Sequence, residues 1–204
     1  MIQNAGPPIE RLRERFGERP FRVAEAVETG LSRTTLYRLR NAGQLMSVGR
    51  GVLQLPEGGA GMLSGLAIVA ARAPAATICL NSALAYWDLS DEIPERIHIA
   101  VPRGAHRPAI THPPTRVHVF DAATYGLERQ EATTDVGEPF RVYSAERSIV
   151  DAMRLSHLVG RDVALHALGR YLRRREARPP RLAELARALG GASQLAPAME
   201  ALLS

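Results

Sequence analysis

The hydrophobic positions change period along the chain, and each change marks an element. From Pro7 to Phe16, the apolar residues Ile9, Leu12 and Phe16 share one helical face behind a proline that suits a helix start, and Gly17 ends the run. Phe21 to Thr29 predicts a second short helix with Phe21, Val23, Ala24 and Val27 inward. Gly30 supplies a turn, because glycine adopts a positive φ at little cost. Ser32 is a good N-cap for a third helix that runs to about Ala42, with Gly43 closing it. The period then shortens. Leu45, Met46 and Val48 precede Gly49-Arg50-Gly51, and Val52, Leu53 and Leu55 follow, which predicts a hairpin with a glycine-rich tip.

Residues 57–61 are rich in glycine and read as a linker between a domain at 1–56 and a second at 62–204. In the second domain the pattern predicts a helix over Met62–Arg72 and a strand over Ala76–Leu80. A helix capped by Asn81 or Ser82 then runs to Trp87. Strands follow at Arg96–Val101, Thr115–Phe120 and Phe140–Tyr143. Ser144 caps a helix to about Leu158, and helices over Arg161–Ala177, Leu182–Leu189 and Leu195–Leu203 complete the chain. The predicted class is α+β: a winged helix-turn-helix, then an α/β domain with a small sheet and a helical C-terminal end.

Charge sharpens this picture. All 26 basic residues of the 204 are arginine, and the formal net charge is +5. Without lysine, P-loop and Schiff-base chemistries are excluded. The single cysteine, Cys79, excludes an intrachain disulfide and a cysteine-based zinc cluster. No hydrophobic signal core stands near the start, and the longest apolar run, Met62–Ala71, is far short of a membrane span, so a cytoplasmic protein is expected. No Asp or Glu lies between Glu28 and Glu57, an interval that carries Arg33, Arg38, Arg40 and Arg50. Such a basic, acid-free stretch attracts polyanions, double-stranded DNA first.

At about 100° per residue, Leu36 and Leu39 form the buried side of the third helix. Thr34, Tyr37, Arg38 and Asn41 then face outward, with Arg33 and Arg40 on the flanks. Arg38 can fork onto guanine and Asn41 can pair with adenine, while Arg33 and Arg40 suit phosphates. Ser32 and Thr35 belong to the same helix start, and Arg50 at the hairpin tip suits a minor groove.

The stretch from Phe21 to Leu45, followed by Gly49-Arg-Gly-Val, resembles the N-terminal domain of AbiEi-type antitoxins, which belong to type IV toxin–antitoxin systems. Downstream, Asn81-Ser-Ala-Leu-Ala-Tyr-Trp-Asp-Leu is similar to that family's Ser-Ala-Leu-Ala helix. Ile97-His-Ile-Ala-Val-Pro-Arg-Gly is similar to its central strand. Glu146-Arg-Ser-Ile-Val-Asp151 resembles its Arg-Thr-Ile-x-Asp helix start, with Ser148 where Thr is commoner. The resemblance implies autorepression of an operon through promoter DNA, and neutralisation of a cognate nucleotidyltransferase-like toxin by the C-terminal domain. Family members also occur as apparent orphan regulators. A stand-alone regulator with a ligand-sensing or oligomerising second domain is therefore the alternative, and a divergent nuclease using Asp88 and Asp91 is a remote one. A dimer on DNA fits a repressor that reads paired half-sites.

In the second domain, Arg147 and Asp151 stand four apart on one helix and read as a polar anchor. His98, His106, His112 and His118 lack metal-ligand spacing. Arg103 and Arg107, in a stiff cationic loop, and Arg173, Arg174 and Arg175, in a basic run, are candidate contacts for an acidic toxin or for DNA backbone. No catalytic residue, metal or cofactor is assigned, and enzyme activity is not expected.

Overall fold

A computed structural model of the chain describes residues 6–49, 51–56, 62–134 and 137–203, without the side chains of 62–64. Helices take 47% and strands 18% of the chain, so the class is α+β. The proposed linker at 57–61 lies outside the described residues. The chain divides into two compact units.

The first unit comprises Met1–Ala75 with Pro108–Pro113 and Glu131–Phe140, and so includes the helix that follows residues 57–61. Its elements are α1 (Pro8–Phe16), β1 (Phe21–Arg22), α2 (Val23–Glu28), α3 (Arg33–Asn41), β2 (Met46–Gly49), β3 (Val52–Gln54) and α4 (Met62–Arg72). The β2–β3 hairpin is antiparallel, and β1 adds to it in the order β1-β3-β2, with Phe21 opposite Leu53. The expected helix from Phe21 therefore starts two residues late, because Phe21 and Arg22 pair with β3. Leu12, Phe21, Ala26, Leu36 and Leu45 are buried in one cluster, in which the rings of Phe16 and Phe21 stack at 4.4 Å. Helix α4 packs on this sheet.

The second unit comprises Ala76–Arg107, Pro114–Gln130 and Arg141–Ser204. It holds the whole of β4 (Thr77–Ile78), β5 (Ile97–Pro102) and β6 (Thr115–Phe120) and parts of β7 (Arg129–Thr133) and β8 (Pro139–Tyr143), five strands hydrogen-bonded in the order β6-β5-β4-β8-β7. Strands β5 and β6 are parallel neighbours, β4 and β5 antiparallel, and β4 and β8 parallel. Helices α5 (Leu80–Tyr86), α6 (Ala145–Arg154), α7 (Ser156–Val159), α8 (Arg161–Leu172), α9 (Pro179–Leu189) and α10 (Ala192–Leu203) complete it. Helix α6 is the hub: it packs on α5, α8, α9 and α10, and every residue from Glu146 to Met153 is buried.

Several local expectations shift for physical reasons. Neither Asn81 nor Ser82 caps α5; Cys79 holds that position, and the Ser82 hydroxyl accepts from His98 N at 2.9 Å. Pro179 and Pro180 occupy the first turn of α9, where a missing N–H costs nothing. Strand β7 has an almost wholly exposed polar sequence and therefore no alternating signature.

Candidate nucleic-acid interface

Helix α3 starts as its sequence dictates. Ser32 Oγ accepts from Thr35 N at 3.1 Å, which satisfies one of the free N–H groups of the first turn. Gly30 takes φ 84° in the turn between α2 and α3. Arg11 donates to Thr29 O beside it and ties α1 to that turn. Leu36 and Leu39 are buried at the back of the helix.

The front of α3 carries Thr34, Tyr37, Arg38 and Asn41, all exposed, with Tyr37 at 44%. Arg33 and Arg40 are exposed on the flanks. Arg40 lies 5.0 Å from the Tyr37 ring centre and donates to Asn41 Oδ1 at 3.1 Å, so these three side chains form one polar cluster. Arg33 and Arg38 make no ion pair or hydrogen bond from their side chains among the described residues. Ser32 and Thr35 face one another across the cap, 2.9 Å apart, and Thr35 is only half-exposed. The minor-groove candidate, Arg50, lies outside the described residues.

Two arginines join this surface that no sequence pattern singled out. Arg22 and Arg72 line a concavity of about 490 Å³ together with Arg33 and Tyr37 of α3. Arg22 Nε donates to Ala71 O at 2.5 Å and Arg72 Nη2 to Ala109 O at 3.0 Å. A Cβ on Gly49 would stand 2.6 Å from Arg72 Cδ, so this glycine leaves room for the Arg72 stem against the hairpin. The signal missing from the sequence was proximity: Arg72 follows α3 by more than thirty positions.

In the second unit, Arg147 and Asp151 are wholly buried and paired at 2.8 Å. Arg147 also donates to Thr124 O and Leu127 O and lies 4.5 Å from the Tyr143 ring centre. Arg154 holds the other Asp151 oxygen at 2.7 Å. The group is built to join α6 to the segment before β7, not to meet a partner. The Cys79 thiol is pushed well up by burial, with Asp151 adding to the shift, and stays protonated.

The remaining candidates scatter. Arg103 and Arg107 are exposed in the loop after β5 and line a cavity described below. Arg173 and Arg175 are exposed after α8, whereas Arg174 donates to Trp87 O and Asp88 O. Asp88 and Asp91 both pair with Arg170, at 2.9 and 2.6 Å, and that hydrogen bond holds the Asp91 carboxyl below its ordinary range. His98 and His118 meet, Nδ1 to Nε2, at 3.3 Å. Desolvation, with Arg116 nearby, lowers each imidazole to about 4. No group of three candidate metal ligands occurs among the described residues, and no helix there is long and apolar enough to cross a membrane.

Residues 10–56 match the family model described as transcriptional regulator, AbiEi antitoxin. The match covers the N-terminal region only, under a quarter of the 204 residues. The matched span opens in α1 and closes just after the hairpin, so it contains all of α3 and its acid-free surroundings, and the second unit lies outside it. No curated protein matches the chain. Among solved structures, the chain is similar to the crystal structure of the RV2827C protein from Mycobacterium tuberculosis. Identity is 18%, coverage is 96% of this chain and 78% of that one, and the TM-score is 0.56. At that identity the likeness speaks for the fold, and it extends across both units.

Proposed function

We propose that this chain is an autorepressing antitoxin. Helix α3 enters the major groove of operator DNA in its own promoter, and the β2–β3 hairpin acts as the wing of a winged helix-turn-helix. The observation that carries the reading is the exposed front of α3, Thr34, Tyr37, Arg38 and Asn41, on a stretch without a single carboxylate. Arg38 reads a base edge. Arg33, with Arg22 and Arg72 in the adjoining concavity, meets backbone phosphates, which position the helix without specifying sequence. Arg40 stiffens Tyr37 and Asn41. A dimer on paired half-sites follows from this mode of reading.

The C-terminal domain neutralises a cognate nucleotidyltransferase-like toxin, with the exposed Arg173 and Arg175 offered to an acidic surface. Arg174 is already committed to backbone carbonyls. The reading requires no catalysis by this chain. Asp88 and Asp91, the acids a nuclease would draw on, both pair with Arg170.

Fluorescence anisotropy against the gene's own upstream DNA, at two salt concentrations and with unrelated DNA as control, tests the first part. Binding should be selective and weaken with salt. Arg38→Ala should lose roughly 1–3 kcal/mol of discrimination, while Arg33→Ala should weaken all DNA alike and lower the salt slope by about one. Equal binding to both DNAs would refute the operator reading. The second part is tested by co-expression with a neighbouring nucleotidyltransferase-like gene. Failure to rescue growth would leave a stand-alone regulator.

A further inference from the structure

The second unit contains a cavity of about 670 Å³ that runs along edge strand β6. Its cationic wall is unusual. Arg103, Arg107 and Arg116 all face it, and none of the three has a carboxylate partner among the described residues. Arg154 joins them. Its Nε is held by Asp151 at 2.7 Å and its guanidinium lies 5.4 Å from the Phe120 ring centre, so the group is fixed in place while its Nη atoms remain without an acceptor among the described residues. One carboxylate, Asp121, shares the wall, and its Oδ1 already accepts from Ala123 N at 2.8 Å. Leu155, Leu158 and Leu189 also line the cavity.

Two features make this a built site. First, the loops that follow the parallel neighbours β5 and β6 supply Arg103 and Arg107 on one side and Asp121 and Thr124 on the other. The carboxyl ends of adjacent parallel strands are where open sheets of mixed folds hold ligands. Second, the loop carrying the arginines is pinned: Arg103 N donates to Phe120 O at 2.8 Å, and Ala105 N to Pro102 O at 3.0 Å. The Arg103 stem therefore springs from hydrogen-bonded backbone.

We propose that this cavity binds an organic di- or triphosphate that carries a compact apolar or aromatic body. Three unpaired guanidinium groups against one carboxylate call for a multiply charged anion, and a planar fork of donors suits phosphoryl oxygens. The leucine wall suits the uncharged body, and the volume suits a small ligand rather than a protein segment. Arg103 and Arg107 are thereby assigned to a ligand and not to the toxin. The site shares no residue with α3, so its failure and that of the operator reading are separable.

The test is isothermal titration calorimetry on the full chain with ADP, inorganic diphosphate and adenosine as probes. ADP should bind saturably and more tightly than diphosphate, and adenosine alone should not. Arg116→Gln, and separately Arg103→Gln with Arg107→Gln, should each weaken ADP by about tenfold or more. These side chains are surface-exposed, so thermal unfolding of the variants should match the parent. Arg173→Gln with Arg175→Gln should leave ADP binding unchanged. Three results would overturn the proposal: no saturable ADP binding, equal loss in the Arg173 and Arg175 variant, or displacement of diphosphate by a short single-stranded oligonucleotide at concentrations where ADP does not compete. The last would assign the cavity to a nucleic-acid backbone.

Discussion

Arg147 shows how much one residue can organise. A guanidinium with no exposure is expensive to bury, and its cost is offset only because Asp151, two backbone carbonyls and the Tyr143 ring all receive it. Asp151 in turn holds both Arg147 and Arg154. Replacing Asp151 by Ala leaves the Arg147 charge buried and uncompensated. Urea denaturation should show a loss of about 3–5 kcal/mol for Asp151→Ala, far beyond the 0.3–0.5 kcal/mol or so of an exposed helical pair. Arg147→Lys should also destabilise, because one ammonium cannot serve the same spread of acceptors. The four-residue spacing was legible in the sequence; the burial that raises its worth was not, since neighbours on other elements supply it.

At the scale of the element, α3 is the most self-determined piece of the chain. Its cap, its buried leucines and its polar front all follow from residues within ten positions of one another. The turn before it is equally local. Gly30→Ala would force a Cβ onto φ 84° and bring it within 3.2 Å of Arg11 Nη2. We expect a loss of about 1–2 kcal/mol by chemical denaturation, together with weaker operator binding, because the same turn aims α3. Unchanged stability would mean that the turn relaxes to another geometry. Strands β1 and β7 were illegible for the opposite reason. Phe21 and Arg22 extend only because Leu53 and Val52 lie opposite, and the surface-facing residues of β7 carry no periodic signal.

At the scale of the molecule, the His98–His118 pair links stability to pH. Both imidazoles fall to about 4 in the folded chain against an ordinary 6.5, chiefly through desolvation. The folded state thus binds fewer protons than the unfolded state between these values. Stability should be complete above about pH 6.5 and decline progressively as pH falls toward about 4. Replacing both by Gln should flatten the thermal-unfolding midpoint over that window, and an unaltered slope would show that other groups carry it. Glu128 acts in a lower range. Its carboxyl is held below its usual value: burial opposes the shift, and the Arg181 and Ser144 hydrogen bonds outweigh it. Its contribution is lost only once pH falls below the ordinary carboxylate range.

The two units differ in how far the sequence alone determines them. Residues 10–56 carry local signals: capping serine, glycine turn, amphipathic faces and a run of arginines without an acid. These sufficed for the helix-turn-helix-like region, for the exposed front of α3 and for the likeness to AbiEi antitoxins. Local signals suffice there because each element is short and its partners lie near it in the chain. The second unit is different. Only the tertiary structure brings Arg103, Arg107, Arg116 and Arg154 to one cavity, seats His98 against His118, and turns a spaced pair on α6 into a buried anchor. These arrangements depend on parallel pairing of β5 with β6 and on helices that return from far along the chain, and long-range closure leaves no periodic trace in the residues it joins.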